Sequence, residues 1–270
     1  YIIVSTQDNC TDTMLSRRRN AMAAAIADSP KAHSLHLDFY DQKRVARWVN
    51  QHAGLVPWVR ERIGEPLTGW RPFGDWSSTP EESSAEYIID DHIRLFDVLL
   101  KDTIGLNAVA GIERVRSVLR KAGGTVRLVG LSGVGKTRFA QAVFDDRIGE
   151  DALQRSKAIY TDLSDRPDPP PLELLGRLVG MKQECVLIVD NCGVGLHRKL
   201  ATRLRQTESR VRLLTIEYDI SDDEPENTDV FKLEPSSPDV LEHILERRYS
   251  QLSKPNIRTI GSFSGGNARV

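Results

Sequence analysis

The segment Gly130-Leu131-Ser132-Gly133-Val134-Gly135-Lys136-Thr137 constrains this chain more than any other stretch. It reads GxxxxGK[ST] in full, follows the apolar run Thr125 to Val129, and precedes a helix predicted to begin near Lys136. The glycines let the backbone curl so that its amide groups face inward, and the start of the helix adds partial positive charge at the same place. Such a ring suits phosphate groups. Lys136 is the cation placed to neutralise outer phosphates, and Thr137 carries the hydroxyl placed to face a magnesium ion. Gly130, Ser132, Gly133, Val134, Gly135, Lys136, Thr137 and the adjoining Arg138 are therefore the predicted nucleotide-binding set.

A loop of this kind needs a carboxylate at the end of a neighbouring strand to hold the metal, and Val186-Leu187-Ile188-Val189-Asp190 supplies it. Thr137 and Asp190 are the predicted metal residues, with Lys136 and Asp190 the predicted catalytic pair. Asn191 follows Asp190, where a fast ATPase would carry the glutamate that activates water, so slow hydrolysis is expected. Asp162 and Glu217 end two other strand candidates, where ligands of open sheets bind, and rank lower as bases. Near the chain end, Phe263-Ser264-Gly265-Gly266-Asn267-Ala268-Arg269 reads either as a turn into a lid helix, with Arg269 reaching toward phosphate, or as a glycine helix stop with a solvated arginine.

The rest of the chain supplies a frame for this loop. Strand candidates at Thr125 to Val129, Ala158 to Tyr160, Cys185 to Val189, Val211 to Ile216 and Val230 to Leu233 alternate with helix candidates, predicting a parallel sheet covered on both faces. Before them, Ile112, Val115 and Leu119 recur at helical spacing; after them come two helices, about 238–249 and 256–263. Upstream, Tyr1 to Val4 suits a buried strand, 13–27 a helix, 34–39 a second strand, and Val45, Trp48 and Val49 share a helical face. The aromatic turn with Trp70, Phe73 and Trp76 is read as packing a loop onto a core rather than stacking bases. The predicted organisation is an N-terminal α/β domain over 1–76, a linker over 77–106, a P-loop NTPase core over 107–233, and the start of a helical lid over 234–270. In fold class this is α/β: a three-layer parallel sheet with a helical lid, preceded by a smaller α/β domain.

Composition narrows the partners. The 37 basic and 38 acidic residues leave a net charge of −1, which gives no global attraction to nucleic acid or a membrane surface. Three cysteines, Cys10, Cys185 and Cys192, make neither a disulfide framework nor a zinc site, and a reducing cytoplasm is expected. No apolar run reaches the roughly 18 residues of a membrane span, and a chain starting inside an apolar run is expected to be a piece of a longer protein.

From about Asn107 to Val270 the chain resembles the signal-transduction ATPases with numerous domains, the STAND NTPases, in the branch found in prokaryotic antiviral defence and related to AAA+ ATPases. The resemblance is carried by GLSGVGKT, the Walker B strand VLIVDN, the sensor strand RLLTIEYD and the segment ending SGGNAR. Two features depart from the pattern: Glu217 stands where many members carry a sensor arginine, and Gly266-Asn267-Ala268-Arg269 replaces a Gly-x-Pro lid turn. The resemblance implies a switch that binds ATP or ADP with magnesium, self-oligomerises on activation by a protein or phage-derived trigger, and turns on an attached effector. Tyr1 to His52 is similar to the last third of an Mrr-like restriction endonuclease domain, which implies an upstream nuclease and, through it, DNA. Asp38 and Asp41 are read as caps of a turn and helix rather than metal ligands. Two other functions stay open: an ATPase or kinase with a dedicated substrate, and a DNA-binding ATPase of the AAA+ initiator type.

Overall fold

The computed structural model describes residues 1–7, 9–78, 87, 93–98, 104–218, 225–235, 237–265 and 267. It divides into two compact units, Tyr1–His52 and Ala53–Val270. Residues 53–76, expected in the N-terminal domain, pack with the second unit, and most of the expected linker lies outside the described residues.

In the first unit, β1 (Ile2–Val4) pairs parallel with β2 (Asp38–Tyr40), and α1 (Asp12–Ala25) and α2 (Gln42–Gln51) follow the two strands. Asp41 caps α2 by accepting from the Arg44 amide at 2.9 Å and also accepts from the Cys10 amide at 2.8 Å. Asp38 accepts from Arg19 and Arg44, so both carboxylates have structural partners. The strand expected to be buried at Tyr1 to Val4 is instead exposed at every residue. A two-stranded pair leaves β1 with an open edge, and within this unit little packs onto its faces.

The second unit is built on a seven-stranded sheet in the order β3-β6-β7-β8-β5-β9-β4. Its five central strands, β5 (Thr125–Val129), β6 (Ala158–Asp162), β7 (Cys185–Asp190), β8 (Val211–Glu217) and β9 (Asp229–Leu233), are mutually parallel, as the alternating pattern predicts. The edges are β3 (Trp70–Pro72) and β4 (Leu95–Asp97), both antiparallel to their neighbours. Three-residue strands carry no usable period, so the sequence pattern does not predict these edges.

Side-chain alternation along the strands sorts the core into two layers. On one face Val126, Leu128, Tyr160, Ile188, Leu214 and Phe231 pack with α4 (Phe73–Ser77), α5 (Ala108–Leu119) and α6 (Lys136–Ala142). On the other, Ile159, Leu187, Val189 and Leu213 pack with α7 (Pro171–Gly180) and α8 (Val194–Arg205). Trp70, Phe73 and Trp76 are all buried, which agrees with the packing role read for that turn. Two final helices, α9 (Pro238–Arg248) and α10 (Lys254–Ser264), lie against one another. No helix among the described residues is long and apolar enough to cross a membrane.

Candidate functional site

The glycine loop connects β5 to α6, where the sequence places it. Gly130 leaves the strand at φ +145°, and a Cβ built there would meet the Leu233 carbonyl oxygen at 2.3 Å. Gly135 enters the helix at φ +91°, a conformation that L side chains rarely adopt. A side chain at either position would break the curl that turns the amides inward. Val134 is buried, its side chain in the core beneath the loop, so its contribution to the site is backbone.

Lys136 is only 9% exposed, and its ammonium donates to the carbonyls of Gly130 at 2.8 Å and Leu131 at 2.7 Å. Those bonds hold a cation across the mouth of the loop. Thr137 donates its hydroxyl to Asp190 Oδ2 at 2.8 Å, bringing together the two predicted metal residues from α6 and β7. The parallel pairing of β6 with β7 sets Asp162 beside Asp190, while Tyr160, two residues back, donates its hydroxyl to the same Oδ2 at 3.1 Å. The other oxygen, Oδ1, accepts from the Asn191 amide at 2.9 Å.

Three donors converging on Asp190 suit an ionised carboxylate. Burial nevertheless pushes its pKa up, with the Asp162 charge adding to the rise and the hydrogen bonds opposing it. Burial, together with the Asp190 charge, also raises the Tyr160 phenol, so this group remains a donor. Asp162 differs: burial raises it, but bonds from Asn191 and Ser164 outweigh that and hold its carboxyl below the usual range. The Asn191 side chain donates to Asp162 Oδ1 at 2.7 Å from a left-handed backbone, φ +54°. An amide thus stands beside Asp190 where a fast ATPase would carry an activating carboxylate.

Of the remaining predicted residues, Arg138 turns to Gln141, at 3.0 Å, and its guanidinium lies 4.0 Å over the Tyr87 ring. Arg269 lies outside the described residues. Glu217 ends β8 and accepts from the Tyr218 amide. Two residues belong to the site without having been predicted. Asn267, past the end of α10, donates to the Ser132 carbonyl of the loop at 2.8 Å; within SGGNAR the sequence pattern points to Arg269, two residues on. Tyr160 gave no signal, because an aromatic in a buried strand reads as core.

A phosphate chain and a divalent cation fit this donor set. The loop offers amides in a cradle that a Cβ would close, Lys136 offers charge, and Thr137 with Asp190 offers hard oxygens of the kind magnesium takes. Among the described residues no separate group of His, Cys, Asp and Glu could hold a metal ion.

No protein-family profile matches the chain, and no curated protein matches it. Among solved structures it is similar to the HORMA:CdnC:Trip13 complex of E. coli MS115-1, at 11% identity over 66% of this chain and 81% of that one, TM-score 0.39. It is also similar to Trip13 of Rhizobiales, at 13% identity over 94% and 74% of the two chains, TM-score 0.35. A third is a Signal Transduction ATPase with Numerous Domains (STAND) protein with a tetratricopeptide repeat sensor, from Pyrococcus horikoshii, at 12% identity over 58% of this chain and 28% of that one, TM-score 0.33. None of these is described as a nuclease, and the Mrr-like resemblance of the N-terminal stretch gains no support from them. All three lie at low identity and low TM-score, so the functional reading rests on the geometry of the loop and its carboxylates.

Proposed function

We propose that this chain is an ATP- and magnesium-binding regulatory NTPase switch of the STAND type. The observation that carries the reading is the 2.8 Å bond between Thr137 and Asp190 beneath a glycine loop spanned by the Lys136 ammonium. In that reading the loop amides and Lys136 bind the phosphates, and Thr137 and Asp190 hold the cation. When bound, magnesium supplies charge neutralisation at the phosphates and fixes their orientation.

Hydrolysis is slow, because Asn191, next to Asp190, carries an amide that accepts no proton from water and donates to Asp162 Oδ1. A long-lived ATP state suits a switch whose nucleotide controls self-oligomerisation and an attached effector, answering a protein or phage-derived trigger. Defence is the setting that the sequence resemblance suggests. The competing reading, an ATPase with steady turnover, draws on Asp162, which the strand register sets next to Asp190.

Calorimetric titration with ATP, ADP and GTP, each with magnesium, tests the proposal alongside a turnover assay. Adenine nucleotides are expected to bind with negligible turnover. Lys136→Ala is expected to weaken binding by about a hundredfold or more, the loss of charge-assisted bonds to phosphate. Unchanged binding in that variant would sink the assignment of the loop, and rapid steady turnover would favour the enzyme reading.

A further inference from the structure

Asp190 Oδ2 receives two hydroxyl donors, of which only one, Thr137, belongs to the predicted metal pair. The second, Tyr160, comes from the neighbouring strand and is 5% exposed. Its ring is not free to swing. Trp76 stacks on it with centroids 4.5 Å apart and planes 13° from parallel, and Phe73 and Phe144 in turn wall in Trp76 edge-on at 5.7 and 6.4 Å. Trp76 is itself tied to the loop helix, because its carbonyl accepts from the Gln141 side chain of α6 at 3.0 Å.

These contacts make one packed chain from α4 through Trp76 and Tyr160 to Asp190. A phenol held this way fixes which way the carboxylate plane faces, so that Oδ2 already points at Thr137. Groups that orient a metal-binding carboxylate in advance spare the cation that ordering cost. The α4 segment, far from the loop in sequence, thereby touches the quality of the metal site.

We propose that Tyr160, held by Trp76, is a positioning residue for the magnesium pair Thr137 and Asp190. The proposal deepens the nucleotide reading and rests on it. Tyr160→Phe keeps the ring and its stack and removes only the donor, so it separates orientation of Asp190 from packing.

The experiment measures ATP binding to the whole chain twice, without magnesium in the presence of a chelator and again as a magnesium titration at fixed ATP. Unfolding of the ligand-free protein is followed in parallel. In Tyr160→Phe the magnesium concentration at half-saturation is expected to rise about five- to tenfold, the size of one typical net hydrogen bond. Magnesium-free ATP affinity is expected to stay within about twofold, since Lys136 and the loop amides are untouched. An unchanged magnesium dependence would overturn the proposal. So would a parallel fall in magnesium-free affinity and in stability, which would make Tyr160 a packing residue only. If the unmodified chain binds no nucleotide, the nucleotide reading itself fails, and that arm tells the two failures apart.

Discussion

Arg116→Met is expected to destabilise the Ala53–Val270 unit by about 3–5 kcal/mol, the cost of leaving buried polar groups without their partner. Arg116 lies on α5 and is fully buried. Its Nε donates to the Val143 carbonyl, one terminal nitrogen to those of Ile148 and Glu150, and the other to those of Ala142 and Asp145, at 2.6–3.1 Å. All five guanidinium hydrogens are matched to acceptors. The acceptors run from the end of α6 into the turns after it; those of Ala142, Val143 and Asp145 also accept a backbone amide, so Arg116 adds a second donor to them, ties the turns to α5 and meets the negative end of the α6 dipole. Methionine fills similar volume and donates nothing. Lysine retains the charge but cannot present five donors in a plane, and it is expected to rescue only part of the loss. Denaturant unfolding followed by the buried Trp70 and Trp76 measures the effect; a change below about 1 kcal/mol, the typical effect of a single substitution, would refute this account of Arg116. Because α6 carries Lys136 and Thr137, the variant also tests how far the loop depends on its helix being anchored at the far end.

Acid is expected to weaken the same unit through His197. This residue of α8 is fully buried, with Nδ1 2.7 Å from the Thr215 hydroxyl and Nε2 3.0 Å from that of Thr228. Burial, with the charges of Arg127 and then Arg198, pushes its pKa down to about 4 from an ordinary 6.5. Between those values the unfolded chain takes up a proton that the folded chain refuses. Stability from this group is therefore complete above about pH 6.5 and falls as the pH drops toward 4. The full loss is about 3 kcal/mol, about 2 of it by pH 5, and below about pH 4 the group adds no further loss. His197→Gln removes the titration, so the difference between variant and parent in denaturation free energy should shrink as pH falls from 7 to 5. Parallel pH profiles for the two proteins would show that His197 is not the source. The tie matters to the site because Thr215 lies in β8, next to the strand that ends in Asp190.

Both residues carry a signal of burial in the sequence. Arg116 interrupts the stripe Ile112, Val115, Leu119 on its apolar side, and His197 shares a helical face with Leu200 and Leu204. A polar residue within an apolar stripe announces burial with a partner. What it does not announce is the partner, which here lies 26 to 34 residues away for Arg116 and 18 to 31 for His197.

Residue order alone determined the five parallel strands, because strands buried on both faces read as unbroken apolar runs, and it determined the loop, because its glycines, Lys136 and Thr137 are adjacent in the chain. It also placed Asp190 at the end of β7, where four aliphatic residues give way to a carboxylate. The short edge strands, the exposure of β1, the unit boundary at His52, the contact of Asn267 with Ser132 and the clamp of Tyr160 and Trp76 on Asp190 were decided only by tertiary structure. Periodicity tells which face of an element is covered, since that follows from local backbone geometry. Which distant side chain covers it follows from strand order, register and packing, and these are properties of the assembled sheet rather than of any segment within it.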